Sequence, residues 1–307
     1  MAEVDDVQSG SGMSVIHGNG VAGFGDYFMI AVLGMNLRGK SMAGRIHPTS
    51  EIDSQADLAE DVSIGPGCVI RGCVRIGAGT RVIGHAYLQG PLTIGRENTI
   101  YPFTTLGFAP QDRKYNPLEQ GAGVLIGDGN VFRESVTIHR ATGQRPTTIG
   151  DGNYFMVNSH AGHDVVMGDD NMLANGALLA GHVEVADRVI FGGNCAVHQF
   201  CRVGRLVMMS GQQGVTRDLP PFSICYEDRR VGGLNLVGLR RAGYRDHIPA
   251  LKEAFTILYR NGHANLGAVD LIEREFGNDA LCMELAAFVR TTSRGITVFR
   301  RPGQEHA

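Results

Sequence analysis

Five histidines, His139, His160, His163, His182 and His198, fall within one stretch of the chain. Neutral imidazole serves both as a general base near neutral pH and as a zinc ligand, so two chemistries are open to such a set. As a base, it would take a hydroxyl proton while the oxygen attacks an acyl carbon. Asp164, directly after His163, suits that work, because a neighbouring carboxylate orients the ring and stabilises its protonated form. As a zinc site, three imidazoles would have to converge from neighbouring subunits. A single histidine is more often a core or surface residue than either of these. Here the spacing matters: His163 and His182 are 19 residues apart, and His182 and His198 are 16 apart.

Whether such spacings mean contact depends on the elements that carry the residues. Every sixth position from Ile46 is aliphatic: Ile46, Ile52, Leu58, Ile64, Ile70, Ile76, Val82, Leu88, Ile94, Ile100 and Leu106. At this composition such a run has a chance probability on the order of 1 in 10,000. The register resumes at Ile126, Phe132 and Ile138, and again from Ile149 to Val215. A helix needs a period of 3.6 and a half-buried strand a period of two, so neither explains six. A triangular coil does. Each side is a short strand with one inward residue, and three sides make a coil of about 18 residues. Side chains about 18 apart then stack, which predicts a vertical column of histidines at one corner. Glycine often follows the inward residue, as at Gly65, Gly77, Gly95, Gly127, Gly150 and Gly204, where the reading expects corners that need a permissive backbone.

The 26 inward positions predict about nine coils. Residues 107–125 and 140–148 interrupt them, and insertions in a solenoid mark faces where something binds. Pro220-Pro221 marks the expected end of the coils. Beyond about Gly238, Leu251, Ala254, Phe255, Leu258 and Tyr259 recur at helical spacing, as do Leu281, Leu285, Phe288 and Val289. The expected organisation is an extension over 1–41, a β-helix over 42–232 and a small α-helical domain over 233–307. The extension carries no hexad phase. It reads as a poorly ordered leader, an over-extended gene start or a cap on the first coil.

Composition excludes several classes. The net charge of -3 and pI near 6.4 argue against a nucleic-acid partner. The six cysteines contain no CxxC pair, so neither a disulfide framework nor a cysteine zinc site is expected. The apolar run Phe28 to Met35 is too short to span a bilayer and follows an acidic start, so export and stable membrane insertion are not expected and a cytoplasmic location is.

The words around the histidines are more specific than their spacing. Glu134 to Arg140 (ESVTIHR), Val157 to Asp164 (VNSHAGHD), Leu179 to Val183 (LAGHV) and Ala196 to Cys201 (AVHQFC) resemble the UDP-N-acetylglucosamine acyltransferase family. So do Gln111 to Tyr115 (QDRKY), Asp218 to Pro221 (DLPP) and Asn235 to Arg241 (NLVGLRR). The resemblance runs from about residue 42 through the C-terminal helices. It implies a left-handed parallel β-helix, because handedness does not follow from the period. It also implies transfer of a 3-hydroxyacyl group from acyl carrier protein to UDP-N-acetylglucosamine, the first step of lipid A biosynthesis, by a homotrimer without cofactor or metal. N-acyl transfer to a 3-amino analogue of the sugar stays open, since no residue separates the two acceptors. The zinc reading, as in hexapeptide-repeat carbonic anhydrases, lacks these words.

Carried over by position, the resemblance makes His163 the general base, Asp164 its partner and Gly181 a backbone N–H donor to the oxyanion. His139, His160, His182, His198, Gln199, Asp112 and Lys114 would line the sugar-nucleotide and acyl pockets. Asn235 and Arg241 would reach the nucleotide, and Gly211 would lie at the far end of the acyl groove, leaving room for a longer chain. Two positions depart from the family: Ala242 replaces a second arginine, and Gly162 stands where alanine is common.

Overall fold

A computed structural model of the chain describes residues 46–226, 228–260 and 265–299. The hexad becomes a solenoid of short strands in three parallel sheets. Among the described residues these sheets hold nine, eight and ten strands, and each sheet is one side of the triangle. A strand's hydrogen-bonded neighbour is one coil away, so Ile52 pairs with Ile70 and Leu173 with Phe191. Across the two interruptions the register survives: Leu106 pairs with Ile138, and Ile138 with Ala161. Extra residues are extruded and the stack stays unbroken, as parallel strands require for their backbone groups.

One inward side chain per strand fills the interior. Ile70, Ile100, Leu106, Phe132, Phe155 and Phe191 are fully buried. Ile46, at the first coil, is 53% exposed, because nothing of the described chain stacks beneath it. A buried asparagine ladder adds a second register device. Asn130, Asn153 and Asn171 each donate their backbone N–H to the side-chain oxygen of the asparagine one coil below (2.8, 2.8 and 2.9 Å), beginning at Asn98. It crosses both interruptions, so it fixes the stacking where the chain spacing is irregular.

The glycines after the inward residues have a different cause from the one expected. Gly65, Gly77, Gly95, Gly127, Gly150 and Gly204 do not lie in the left-handed region. They are small because the next coil passes where a side chain would be: a Cβ on Gly150 would come 2.7 Å from the Gly168 carbonyl oxygen. The left-handed corners are taken elsewhere, often by large residues, including Asp164, His182 and Phe200 at φ 59°, 60° and 63°.

The solenoid continues one strand past Pro220-Pro221, through Ser223–Tyr226, which pairs parallel with Met208–Met209. Arg230–Leu234 then turns back antiparallel. Helices α1 (Leu236–Arg241), α2 (Ile248–Arg260), α3 (Asn265–Phe276) and α4 (Ala280–Arg290) follow; the hydrophobic spacing had indicated α2 and α4, not α1 or α3. Leu251, Leu258, Ile272, Leu281 and Leu285 form their core together with Phe222 from the coil end. Arg202, paired with buried Asp218 at 3.1 Å, also donates to the Phe288 carbonyl in α4, tying the helices to the solenoid. The expected 1–41 extension and the tail from Arg300 lie outside the described residues.

Candidate active site

The nine-stranded sheet carries a cleft of about 900 Å³ on its outer face. Strands Thr137–His139, His160–Ala161, Leu178–Leu179, Ala196–Val197 and Gly214–Val215 cross it in successive coils. Each strand points one residue inward and its neighbour outward, so the alternation that builds the core also furnishes the cleft. Its floor is apolar at Leu178, Ala180, Ala196 and Val215, and polar at Thr137, His139, His160, His163, His198 and Gln199.

The histidines do not form the single column expected. They form two pairs. His139 and His160 meet edge to face with ring centres 4.8 Å apart, and His163 and His182 do so at 5.1 Å. A true column needs a separation of one coil, and 19 residues misses it by one. The residues one coil after His163 are Gly181 and then Gln199; those after Asp164 are His182 and then Phe200. Phe200 therefore stacks flat on His182, with centroids 4.5 Å apart and planes 9° apart. His198 stands apart from both pairs, with Nδ1 3.2 Å from the Gln199 carbonyl oxygen.

His163 Nδ1 lies 2.7 Å from Asp164 Oδ2. Asp164 also accepts from the Thr142 hydroxyl (2.6 Å), the Thr142 amide (3.0 Å) and the Gly143 amide (3.1 Å). Burial opposes its ionisation, but these donors together with His163 hold the carboxyl below its usual range. An ionised Asp164 accepts a hydrogen bond from Nδ1–H, which leaves the lone pair on Nε2. That nitrogen faces Gly181: a Cβ on Gly181 would come 2.6 Å from Nε2 and 2.5 Å from Cε1. Glycine is required there because the imidazole occupies the space.

Burial depresses His139 to a pKa of about 4, with His160 and His163 adding repulsion, and burial likewise lowers His160. Both are neutral near pH 7. The Thr137 hydroxyl sits 2.6 Å from His160 Nδ1 and fixes that ring. Among the described residues, one group of three metal-type donors converges: His163, Asp164 and His182, with atoms within 4.8 Å of one another. It is not the three-imidazole set of the zinc reading, and within it His163 and Asp164 already satisfy each other.

Other expected site residues lie outside this single-chain cleft. Asp112 accepts the Lys114 amide at 2.9 Å and so shapes its own loop, while Gln111 reaches the cleft instead. Gly211 is at an exposed corner beside Gly193. Asn235 is buried as the N-cap of α1: its side chain accepts from Gly238 N and donates to the Leu206 carbonyl. Both contacts occupy the amide that was expected to reach a nucleotide. Arg241 is exposed on α1. Gln111, Thr137, Thr142 and Phe200 are site residues that the sequence reading did not single out. Counting one coil on from His182 finds Phe200; nothing periodic finds Thr142, which lies in the second interruption.

The chain is similar to known proteins over most of its length. Residues 218–297 match the family model described as UDP-N-acetylglucosamine O-acyltransferase, domain 2. The acyl-[acyl-carrier-protein]--UDP-N-acetylglucosamine O-acyltransferase of Thermodesulfovibrio yellowstonii is 43% identical over 255 residues, covering 82% of this chain and 98% of that protein. The Halorhodospira halophila enzyme of the same name is 41% identical over 258 residues, with the same coverage. Among solved structures, the UDP-N-acetylglucosamine O-acyltransferase of Moraxella catarrhalis superposes with a TM-score of 0.79 at 38% identity, covering 82% of this chain and 98% of that one. The Francisella novicida enzyme gives 0.80 at 31%, covering 86% and 100%. By sequence over most of its length and by fold, this chain belongs to the UDP-N-acetylglucosamine O-acyltransferase family.

Proposed function

We infer that the chain transfers a 3-hydroxyacyl group from the thioester of acyl carrier protein to the 3-hydroxyl of UDP-N-acetylglucosamine, the first step of lipid A biosynthesis. Family membership carries the activity. The observation that carries the residue roles is the His163–Asp164 contact at 2.7 Å, with Nε2 directed at Gly181.

The steps follow from that geometry. His163 Nε2 accepts the proton of the sugar hydroxyl as its oxygen attacks the thioester carbon, and Asp164 stabilises the imidazolium. The carbonyl oxygen becomes an oxyanion, and the Gly181 N–H donates to it, a contribution often worth a few kcal/mol. The intermediate collapses with loss of the carrier's thiolate, which takes from His163 the proton that came from the sugar hydroxyl and leaves as the thiol. Neutral His139 and His160 suit hydrogen bonding to sugar or acyl hydroxyls, and the apolar floor suits a hydrocarbon chain.

A homotrimer is part of this reading. Leu178 in the cleft floor and Phe200 outside it are 45% and 49% exposed, as apolar residues that pack on another subunit are. Gly211, Asn235 and Arg241 lie outside the single-chain cleft, and a neighbouring subunit is where Gly211 and Arg241 would complete it. The cytoplasm fits six cysteines without a disulfide, and no described helix is long and apolar enough to cross a membrane.

The test is product analysis by mass spectrometry, with 3-hydroxyacyl carrier thioesters and UDP-N-acetylglucosamine. The expected product is the 3-O-acyl sugar nucleotide, formed at least about 100-fold more slowly by His163→Ala. Undiminished turnover by that variant in folded form would remove His163 from the role of base.

A further inference from the structure

The second interruption of the hexads was expected to mark a binding face. Its contacts point inward instead. At one end Arg140, buried beside His139, donates to the carbonyls of Gly107, Pro117 and Glu119 (3.3, 2.9 and 2.8 Å) and lies 3.3 Å from the Tyr115 hydroxyl. Two residues on, Thr142 donates twice to the same carboxylate oxygen of Asp164 that faces His163, through its hydroxyl at 2.6 Å and its amide at 3.0 Å. Gly143 N–H takes the other oxygen, and the Thr147 hydroxyl accepts the Asp164 amide at 2.8 Å. Asp164 itself lies in the left-handed region at φ 59°, an unfavourable backbone for a non-glycine residue that surrounding contacts must hold.

We propose that Thr142 is a positioning residue for acyl transfer, its hydroxyl fixing the Asp164 carboxylate against His163, on an arm that Arg140 anchors to the loop carrying Gln111. The two bonds from one residue to one oxygen leave the carboxylate little freedom to rotate. The two backbone N–H bonds survive loss of the side chain, so the carboxylate stays anchored and the hydroxyl's share of its orientation is what a substitution removes. The inference rests on the reading of Asp164 as partner of the base. It adds that dyad geometry is set from a segment 22 residues earlier in the chain. Through Thr142, chain extruded from the coils positions the dyad.

The experiment compares Thr142→Val and Thr142→Ser with the full-length parent, using steady-state kinetics with carrier thioester and UDP-N-acetylglucosamine. Valine keeps shape and loses the donor. Its kcat is expected to fall about 10-fold with both KM values within twofold, and serine is expected to restore kcat to within about threefold. Thr148→Val, in the solenoid strand Thr147–Ile149 that follows the arm, removes a hydroxyl that donates to the Pro146 carbonyl, and should behave as the parent. In an Asp164→Asn background, Thr142→Val should cost less than twofold, because a residue acting through Asp164 has nothing left to orient. An unchanged kcat in Thr142→Val while Asp164→Asn is impaired would overturn this inference alone. An equal loss in Thr142→Ser, or a full additional loss in the double variant, would also overturn it. Parent-like activity of Asp164→Asn would instead remove the dyad reading beneath it.

Discussion

At the scale of single residues, the site is defined as much by absent atoms as by present ones. Gly181 leaves room for the imidazole of His163. Gly181→Ala should push His163 off Asp164. We expect kcat to fall about 100-fold or more, since both the proposed base and the proposed oxyanion donor would move, with thermal stability nearly unchanged. A parent-like kcat in this variant would show that the ring does not need its present position. His139 makes a different kind of prediction. Its pKa is depressed to about 4 in the fold, against about 6.5 in an unfolded chain, so between these values the unfolded state binds the extra proton. Stability should therefore be complete above about pH 6.5 and decline as pH falls toward 4. In His139→Gln, which cannot take up that proton, the decline in melting temperature between pH 7 and 4.5 should be shallower.

At the scale of elements, each strand contributes little alone, and the coil stack supplies the order. Gly150 shows how close that stack is, with the next coil's backbone within 2.7 Å of where a Cβ would stand. Backbone cannot step aside as a flexible side chain can. Gly150→Ala should therefore cost about 1–3 kcal/mol in denaturant unfolding, the usual scale of overpacking, with no loss of kcat if the variant is assayed below its transition. The inward aliphatics were legible as a sequence period; the asparagine ladder was not, because Asn98, Asn130, Asn153 and Asn171 stand 32, 23 and 18 residues apart across the two interruptions. The helices were legible where apolar residues are dense: α2 and α4 were seen, whereas α1 is only six residues long and α3 is less apolar overall, though its stripe is as marked as that of α4.

At the scale of the whole molecule, the proposed trimer predicts a mass near three times 33.0 kDa by light scattering, with turnover following the trimer fraction on dilution. A fully active species of monomer mass would contradict it. The sequence by itself determined the architecture, because a strict six-residue period has one economical solution and each inward residue reports it locally. It also determined the candidate chemistry, because His163 and Asp164 are adjacent in the chain and the surrounding words are specific. Tertiary structure alone decided which residues touch. It set four of the five histidines in two edge-to-face pairs and left His198 apart, because stacking follows the coil length and none of the spacings equals one coil. It gave the glycines a steric cause, since the approach of one coil to the next is invisible along the chain. And it brought Thr142 to Asp164, because chain extruded from a periodic stack has no period from which its destination can be read.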